Sequence, residues 1–210
     1  MAKSDLKVND ALVNISIQNL SGELQSICNE IFTPATLGLI VCLNKKLMKR
    51  RDQLLATRKR KQEHYDQGKY PEYPDKLSDV VVGDWAVSTL PEDLKTRRVE
   101  ITGPATDKCN IAKMCYGDGD ILADVATIDF EDTIVPSFDN IIDGYNNVRN
   151  LFNGTLKKEY GIDSSKKMTN IMFRVRNLHL AEKNIEVDGN VVSAAICDFA
   201  VCLNWWEKIY

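Results

Sequence analysis

Three carboxylates crowd the end of one apolar stretch of the sequence. Asp129, Glu131 and Asp132 close or directly follow ILADVATIDF, residues 121–130, which has the near-continuous apolar content of a buried strand. Leaving three carboxylates buried and unpaired would cost more than the whole stability of a domain, about 5–15 kcal/mol. We therefore expect the group to face water, a cation or an arginine at the end of the strand, where it can take part in chemistry.

Two arginines end another strand-like run. Arg174 and Arg176 close NIMFRVR, residues 170–176. Because they are two residues apart, both side chains are expected on one side of the strand. If the two strands are neighbours, one arginine can reach the carboxylates. Such an arginine can stabilise an oxyanion, and a structural ion pair is an equally good interpretation.

Alternating strands and helices surround these residues. Strand patterns lie at 98–103, 121–130 and 170–176, and helix patterns at 107–117 and from Ser137 to about Gly154. This order is typical of a parallel α/β sheet, in which active sites collect at the carboxyl ends of the strands. Asp188-Gly189 between β-forming residues predicts a hairpin over 185–192, and a last helix is predicted over 197–209.

A long helix with a basic face is predicted upstream. Thr33 is a favourable N-cap, Pro34 suits the first helical position, and apolar residues recur at helical spacing to about Tyr65. The helix carries nine basic residues: Lys45, Lys46, Lys49, Arg50, Arg51, Arg58, Lys59, Arg60 and Lys61. No aromatic residues interleave them as base stacking would need, so we favour a solvated face over a surface for nucleic acid or another anionic partner.

Bulk composition narrows the class of protein. The 210 residues carry a net charge of −3, which argues against a dedicated nucleic-acid binder. The six cysteines form no CxxC pair and there are two histidines, so we predict reduced, mostly structural cysteines and no structural zinc. No run of about 18 apolar residues occurs, so no membrane partner is expected.

Three segments in the same order resemble the malate synthases. They are RRVEITGP (97–104), DFEDTIVPSFDNIIDGYNN (129–147) and FRVRNLHLAEKNIEVDGNVVSAAICDF (173–199). The long helix from Pro34 and the connector before Arg97 also fit, so the resemblance extends over roughly residues 30–205.

The resemblance implies a fold and a reaction. That family folds as a TIM (β/α)8 barrel and condenses acetyl-CoA with glyoxylate and water to malate and CoA in the glyoxylate cycle, with Mg²⁺ as its metal. An aspartate base removes a methyl proton of the thioester, and the enolate attacks the aldehyde that the metal polarises. By motif position, Arg174 is the catalytic arginine; Asp129, Glu131, Asp132 and Arg176 line the substrate site.

The resemblance also divides the chain. Residues 1–96 are expected to form an N-terminal helical segment and connector. Residues 97–210 are expected to form the first strands and helices of an incomplete barrel, with a β-hairpin insertion. The family is more than twice as long, so its metal ligands and catalytic aspartate are expected beyond residue 210. We therefore predict that the chain alone is inactive.

Departures from the family keep a second function open. The family motif Arg-Pro-Arg-Gly-Trp-His reads here with Val175, Asn177 and Leu178 at its Pro, Gly and Trp positions, and Ala200 replaces a later glycine. The alternative is a non-catalytic truncated relative that acts as a binding or scaffold protein. Its partner would be a full-length relative or the missing carboxyl-terminal half. Cytoplasm and peroxisome or glyoxysome both stay open as locations.

Overall fold

Two separate sheets organise the chain. The computed structural model describes residues 2–8, 11–74, 76 and 78–206. One sheet has three strands in the order β3-β4-β5, and the other has four in the order β1-β2-β6-β7. The strands are β1 (Ala2–Val8), β2 (Ala11–Ile17), β3 (Glu100–Pro104), β4 (Val125–Asp129), β5 (Asn170–Arg174), β6 (Ala181–Val187) and β7 (Asn190–Ser193). The helices are α1 (Glu23–Ile31), α2 (Pro34–Asp66), α3 (Asp79–Val82), α4 (Lys108–Tyr116), α5 (Phe138–Phe152), α6 (Thr155–Glu159) and α7 (Ala194–Trp206).

The three-stranded sheet is parallel, as the strand and helix order predicts. Helix α4 connects β3 to β4, and α5 and α6 connect β4 to β5. The connecting helices start where the sequence offers caps. Asp107 accepts a hydrogen bond from the Asn110 amide at 2.9 Å, and Ser137 accepts one from the Asn140 amide at 3.3 Å.

Only one face of the parallel sheet is covered by these helices. Ala126 and Ile128 are fully buried in the core, and Phe173 packs its ring against Phe152 of α5. Thr127 and Met172 alternate with them and lie on the opposite face, where Met172 is 40% exposed. Parallel sheets normally have both faces covered, so this open face is unusual for such a sheet.

Among the described residues the parallel sheet does not close. β3 and β5 each pair with β4 only, which leaves both as edge strands. The chain is therefore mixed α/β, as predicted, but the three strands by themselves do not amount to a barrel.

The antiparallel sheet joins the two ends of the described chain. β2 pairs with β6, so residues 15–17 lie beside residues 185–187. The hairpin predicted over 185–192 is confirmed: β6 and β7 meet at Asp188 and Gly189, both with positive φ, as a type I′ turn requires. The predicted division at residue 96 is crossed by this sheet, and the description of residues 1–96 as helical omits the hairpin β1-β2.

Helix α2 is confirmed and is only partly packed. Thr33 accepts a hydrogen bond from the Thr36 amide at 3.3 Å, and Leu37, Ile40 and Val41 are buried near its start. Most of the remaining turns are exposed. Within the described part of the chain no single helix has the length and apolarity to cross a membrane. Only α1 and α2 taken together, across a 65° bend, pass that test on length and composition.

Candidate active site at the strand ends

Two adjacent strands end at the predicted functional residues. β4 ends at Asp129 and β5 ends at Arg174, and these two residues are direct partners in the parallel register. Parallel partners project to the same face, and strand alternation puts them on the open face with Thr127 and Met172. The sheet alone therefore brings the first carboxylate and the first arginine together.

Arg174 and Asp129 form a bidentate ion pair. The Arg174 Nε donates to Asp129 Oδ1 at 2.8 Å and its Nη2 donates to Asp129 Oδ2 at 2.6 Å. The same Nη2 contacts Asp132, and Nε lies 3.9 Å from an oxygen of Glu131. The Asp129 side chain is fully buried and Arg174 is 40% exposed. One guanidinium thus gathers all three predicted carboxylates and still faces solvent.

The pair is held in its charged form. Burial alone would raise the pKa of the Asp129 carboxyl, but hydrogen bonds from Arg174, the Glu131 amide and the Thr133 hydroxyl outweigh burial and lower it. The hydrogen bond to Asp129 raises the pKa of Arg174 above its ordinary value. Both groups are therefore ionised across the neutral range.

The loops that follow the two strands also contact each other. The Glu131 amide donates to Asp129 Oδ1 at 2.9 Å, and the Asn177 side-chain amide donates to a Glu131 carboxylate oxygen. Asn177 is one of the positions that departs from the family motif. Here its side chain makes a contact that glycine, the family residue, cannot make.

Arg176 lies in a different environment from the Asp129 cluster. It is 4% exposed, its Nη2 donates to Asp198 Oδ1 at 2.7 Å, and its Nη1 donates to Glu182 Oε2 at 2.7 Å. Burial would lower the pKa of Arg176, but the neighbouring Tyr145, Asp198 and Glu182 outweigh it and raise the pKa above its ordinary value. The structure therefore places Arg176 in a buried ion-pair network and does not bring it into the cluster with the three carboxylates.

Sequence reasoning missed the other members of this buried network. The Tyr145 hydroxyl donates to Asp198 Oδ1 at 2.5 Å, and both side chains are buried. The available signal was the segment AAICDFAVCL, residues 194–203, where one acid interrupts an apolar helix. A lone carboxylate at such a position needs a charged or hydroxyl partner.

The exposed cluster carries an excess of negative charge. Three carboxylates face one guanidinium, and Asp132 is 68% exposed. An anionic ligand gains from Arg174 but is repelled by Glu131 and Asp132. A further positive charge beside the ends of β4 and β5 would therefore strengthen the binding of a small carboxylate there.

The described residues do not fit the Mg²⁺ site that the resemblance implies. Within residues 2–8, 11–74, 76 and 78–206, no three His, Cys, Asp or Glu side chains are grouped so as to hold a metal ion. The Asp129 oxygens already accept hydrogen bonds from Arg174 and the Glu131 amide. We derive no step through a metal from these residues.

Comparison with known proteins identifies relatives over most of the chain. Residues 22–75 match the model of the malate synthase N-terminal domain. Malate synthase of Myxococcus xanthus is 35% identical over 178 residues, which is 82% of this chain and 32% of that protein. Malate synthase A of Escherichia coli is 31% identical over 178 residues, and glyoxysomal malate synthase of Candida tropicalis is 33% identical over 189. The chain spans about a third of the length of these curated relatives.

Proposed function

The chain is homologous to the malate synthases over 82% of its length, and on that premise we propose that it supplies the arginine-bearing part of a malate synthase-like acyltransferase. The reaction is the condensation of acetyl-CoA with glyoxylate and water to give malate and CoA. In this proposal the three parallel strands are the first three of a TIM barrel. The open face of the sheet points toward the interior of that barrel.

The carrying observation is the position of Arg174. Arg174 ends β5 on the open face. Its contacts with carboxylates of the described residues are made through Nε and Nη2. The two N–H groups of Nη1 are left to donate to a ligand oxygen. Donors fixed in advance at the place where negative charge develops lower the barrier of a condensation.

The role of Asp129 in this proposal is to orient the guanidinium. A bidentate pair of hydrogen bonds fixes the plane of the guanidinium as well as its position. Because Asp129 is buried and remains ionised, it cannot serve as the base that removes the methyl proton without first losing Arg174. We therefore assign proton abstraction to a residue outside the described cluster.

The chain alone is proposed to be inactive. The described residues offer no fitting metal site, Asp129 is paired with Arg174, and the chain matches only 32% of the Myxococcus xanthus relative. In an assay of CoA thiol release with acetyl-CoA, glyoxylate and Mg²⁺, we expect no turnover above the protein-free rate. Turnover by the purified 210-residue chain would refute this part of the proposal.

A site test does not depend on turnover. Phenylglyoxal modifies accessible arginines, and peptide mapping by mass spectrometry reports each arginine separately. We expect glyoxylate to slow modification of Arg174, and to leave Arg58 on the exposed part of α2 unaffected. Acetate at equal ionic strength is the control, since it carries the charge but lacks the aldehyde. Equal rates with glyoxylate and acetate would count against glyoxylate binding.

A non-catalytic scaffold function is the second candidate. The excess negative charge at the strand ends favours it, because this charge weakens a site for an anionic substrate. The Asn177 side chain holds one of these carboxylates, Glu131, in place. The scaffold would present the open face and the β5 edge to a polypeptide that carries the following parallel strands. Two results together would favour this function. Glyoxylate would fail to protect Arg174, and the chain would bind a polypeptide that comprises the later part of a malate synthase.

The location is proposed from the relatives. Some of them are named as glyoxysomal malate synthases, from Candida tropicalis and Brassica napus. We propose a glyoxysomal or peroxisomal location, or the cytoplasm, for this chain. Imaging of a tagged full-length gene product distinguishes the two.

A further inference from the structure

A buried carboxylate on α7 connects the loops on both sides of the candidate site. Asp198 is fully buried in a mostly apolar helix, and it accepts hydrogen bonds from four donor groups on two residues, Tyr145 and Arg176. A buried charge persists only where its surroundings are arranged around it. The partners of Asp198 therefore show what this residue holds in place.

On one side Asp198 holds the chain that leaves β5. The backbone amide of Arg176 donates to Asp198 Oδ2 at 2.8 Å, and the Arg176 guanidinium donates to both oxygens. The amide contact is important because it fixes main chain two residues beyond Arg174. Asn177, which contacts Glu131, is the next residue along the chain.

On the other side Asp198 holds the chain that leaves β4. The Tyr145 hydroxyl donates to Asp198 Oδ1, and the Tyr145 ring packs on Phe130 with centroids 5.3 Å apart. Phe130 lies between Asp129 and Glu131 in the sequence. The preceding residue of α5 is Gly144, where a Cβ would lie 3.0 Å from the Phe130 ring, so the helix sits directly on this loop.

We propose that Asp198 is a positioning residue that fixes the loops after β4 and β5 relative to each other and so orients Arg174 toward Glu131 and Asp132. The sheet already pairs Asp129 with Arg174, so the part that Asp198 adds lies beyond the strand ends. The inference rests on the proposed function only in taking Arg174 as the ligand-binding group. Its geometry is independent of any reaction.

The test compares three conservative variants of the full chain without substrate. Asp198→Asn keeps size but replaces one acceptor oxygen by a donor, which disrupts either the Tyr145 or the Arg176 contact. Tyr145→Phe keeps the ring on Phe130 and removes only the hydroxyl. Glu182→Gln is the matched control, since Glu182 is equally buried and binds the far Nη1 of Arg176.

Two readouts report on Arg174 itself. One is the rate of phenylglyoxal modification by peptide mapping, and the other is the solvent exchange of the Arg174 Nε–H signal in nitrogen-15 NMR. In Asp198→Asn we expect both rates to rise about tenfold, as loss of a hydrogen bond to a charged group allows. Tyr145→Phe should raise them by a smaller factor, and Glu182→Gln should stay within about twofold of the original protein.

Either of two outcomes would overturn the proposal. One is an unchanged Arg174 in both Asp198→Asn and Tyr145→Phe. The other is an equal rise in Glu182→Gln, which would mean that any weakening of the buried network loosens the site. If Asp198→Asn does not fold, the comparison of Tyr145→Phe with Glu182→Gln decides. Failure of glyoxylate to protect Arg174 in the original protein would refute the proposed function and leave this result standing.

Discussion

Replacing Asp129 by asparagine tests whether the bidentate ion pair between Asp129 and Arg174 stabilises the strand ends. Asp129→Asn keeps the size of the buried side chain and removes its charge. One amide oxygen still accepts a hydrogen bond, but the new NH2 group faces a guanidinium donor. The Arg174 Nη2 bond at 2.6 Å is therefore lost, and the Nε bond at 2.8 Å keeps a charged donor but has a neutral acceptor.

The size of the effect follows from the exposure of the two partners. A hydrogen bond between a charged group and its partner contributes about 1.5–3 kcal/mol when water is excluded. Asp129 is fully buried, but Arg174 is 40% exposed, so solvent screens part of that attraction. We expect Asp129→Asn to lower the free energy of unfolding by about 1–2 kcal/mol at neutral pH.

The stability difference between the original protein and Asp129→Asn should decrease as the pH falls. The pKa of Asp129 is lowered in the folded chain from its ordinary value of 3.8. Its contribution to stability is therefore complete above that value and is lost as the pH falls below it toward the folded pKa. The gap between the original protein and Asp129→Asn should shrink in acid, because both then carry an uncharged group.

Urea unfolding followed by circular dichroism, at neutral pH and at about pH 3, measures this gap. Asp132→Asn is the control, because Asp132 contacts the same nitrogen of Arg174 but is 68% exposed. It should cost less than about 1 kcal/mol. If Asp129→Asn costs no more than Asp132→Asn, or if its cost persists undiminished in acid, the ion pair does not stabilise the fold as argued.

Three further substitutions test the packing and turns around the site. Gly144→Ala should lower the free energy of unfolding by about 1–3 kcal/mol, because its Cβ meets the Phe130 ring at 3.0 Å; Gly38→Ala, with open space around it in α2, should raise stability by about 0.5–1 kcal/mol, and equal effects in urea melts would contradict the packing argument. Gly189→Ala should cost about 1 kcal/mol, because φ is 76° there, with the hairpin amide signals shifting in NMR; a neutral result would mean that the turn changes type at no cost. Thr33→Ala should cost about 1 kcal/mol by thermal melting through loss of the α2 cap, and Thr33→Ser, which keeps the hydroxyl, should not.

The local elements were predictable because their signals are local. Helix α2 begins at the predicted cap and first position, Thr33 and Pro34, and the hairpin turn lies at Asp188 and Gly189. The meeting of Asp129 and Arg174 was predictable as well, because parallel strands carry their last residues to the same edge.

The position of Arg176 shows where strand alternation stops applying. The two-residue period holds only within a strand, and β5 ends at Arg174. Beyond that residue the chain turns away to meet Asp198, so the second arginine does not join the first. Its partner, Asp198, lies 22 residues further along the chain, so no local sequence pattern identifies it.

The N-terminal hairpin was missed for a related reason. Val13, Ile15 and Ile17 alternate with Asn14 and Ser16, which is a strand pattern that a reader can find afterwards. Its place in the fold depends on β6, about 170 residues away, and pairing at that distance leaves no trace in a short window.

The pairing of β2 with β6 sets the order in which this polypeptide can mature on a ribosome. Residues 11–17 emerge early, but their partner strand begins at residue 181. At about 5–20 residues per second, the hairpin waits on the order of ten to thirty seconds with one edge unpaired. During that interval the unpaired edge can pair with a neighbouring chain, and the slow formation of long-range strand contacts extends the exposure. A messenger cut short before the codons for β6 would therefore yield a product that exposes this edge permanently.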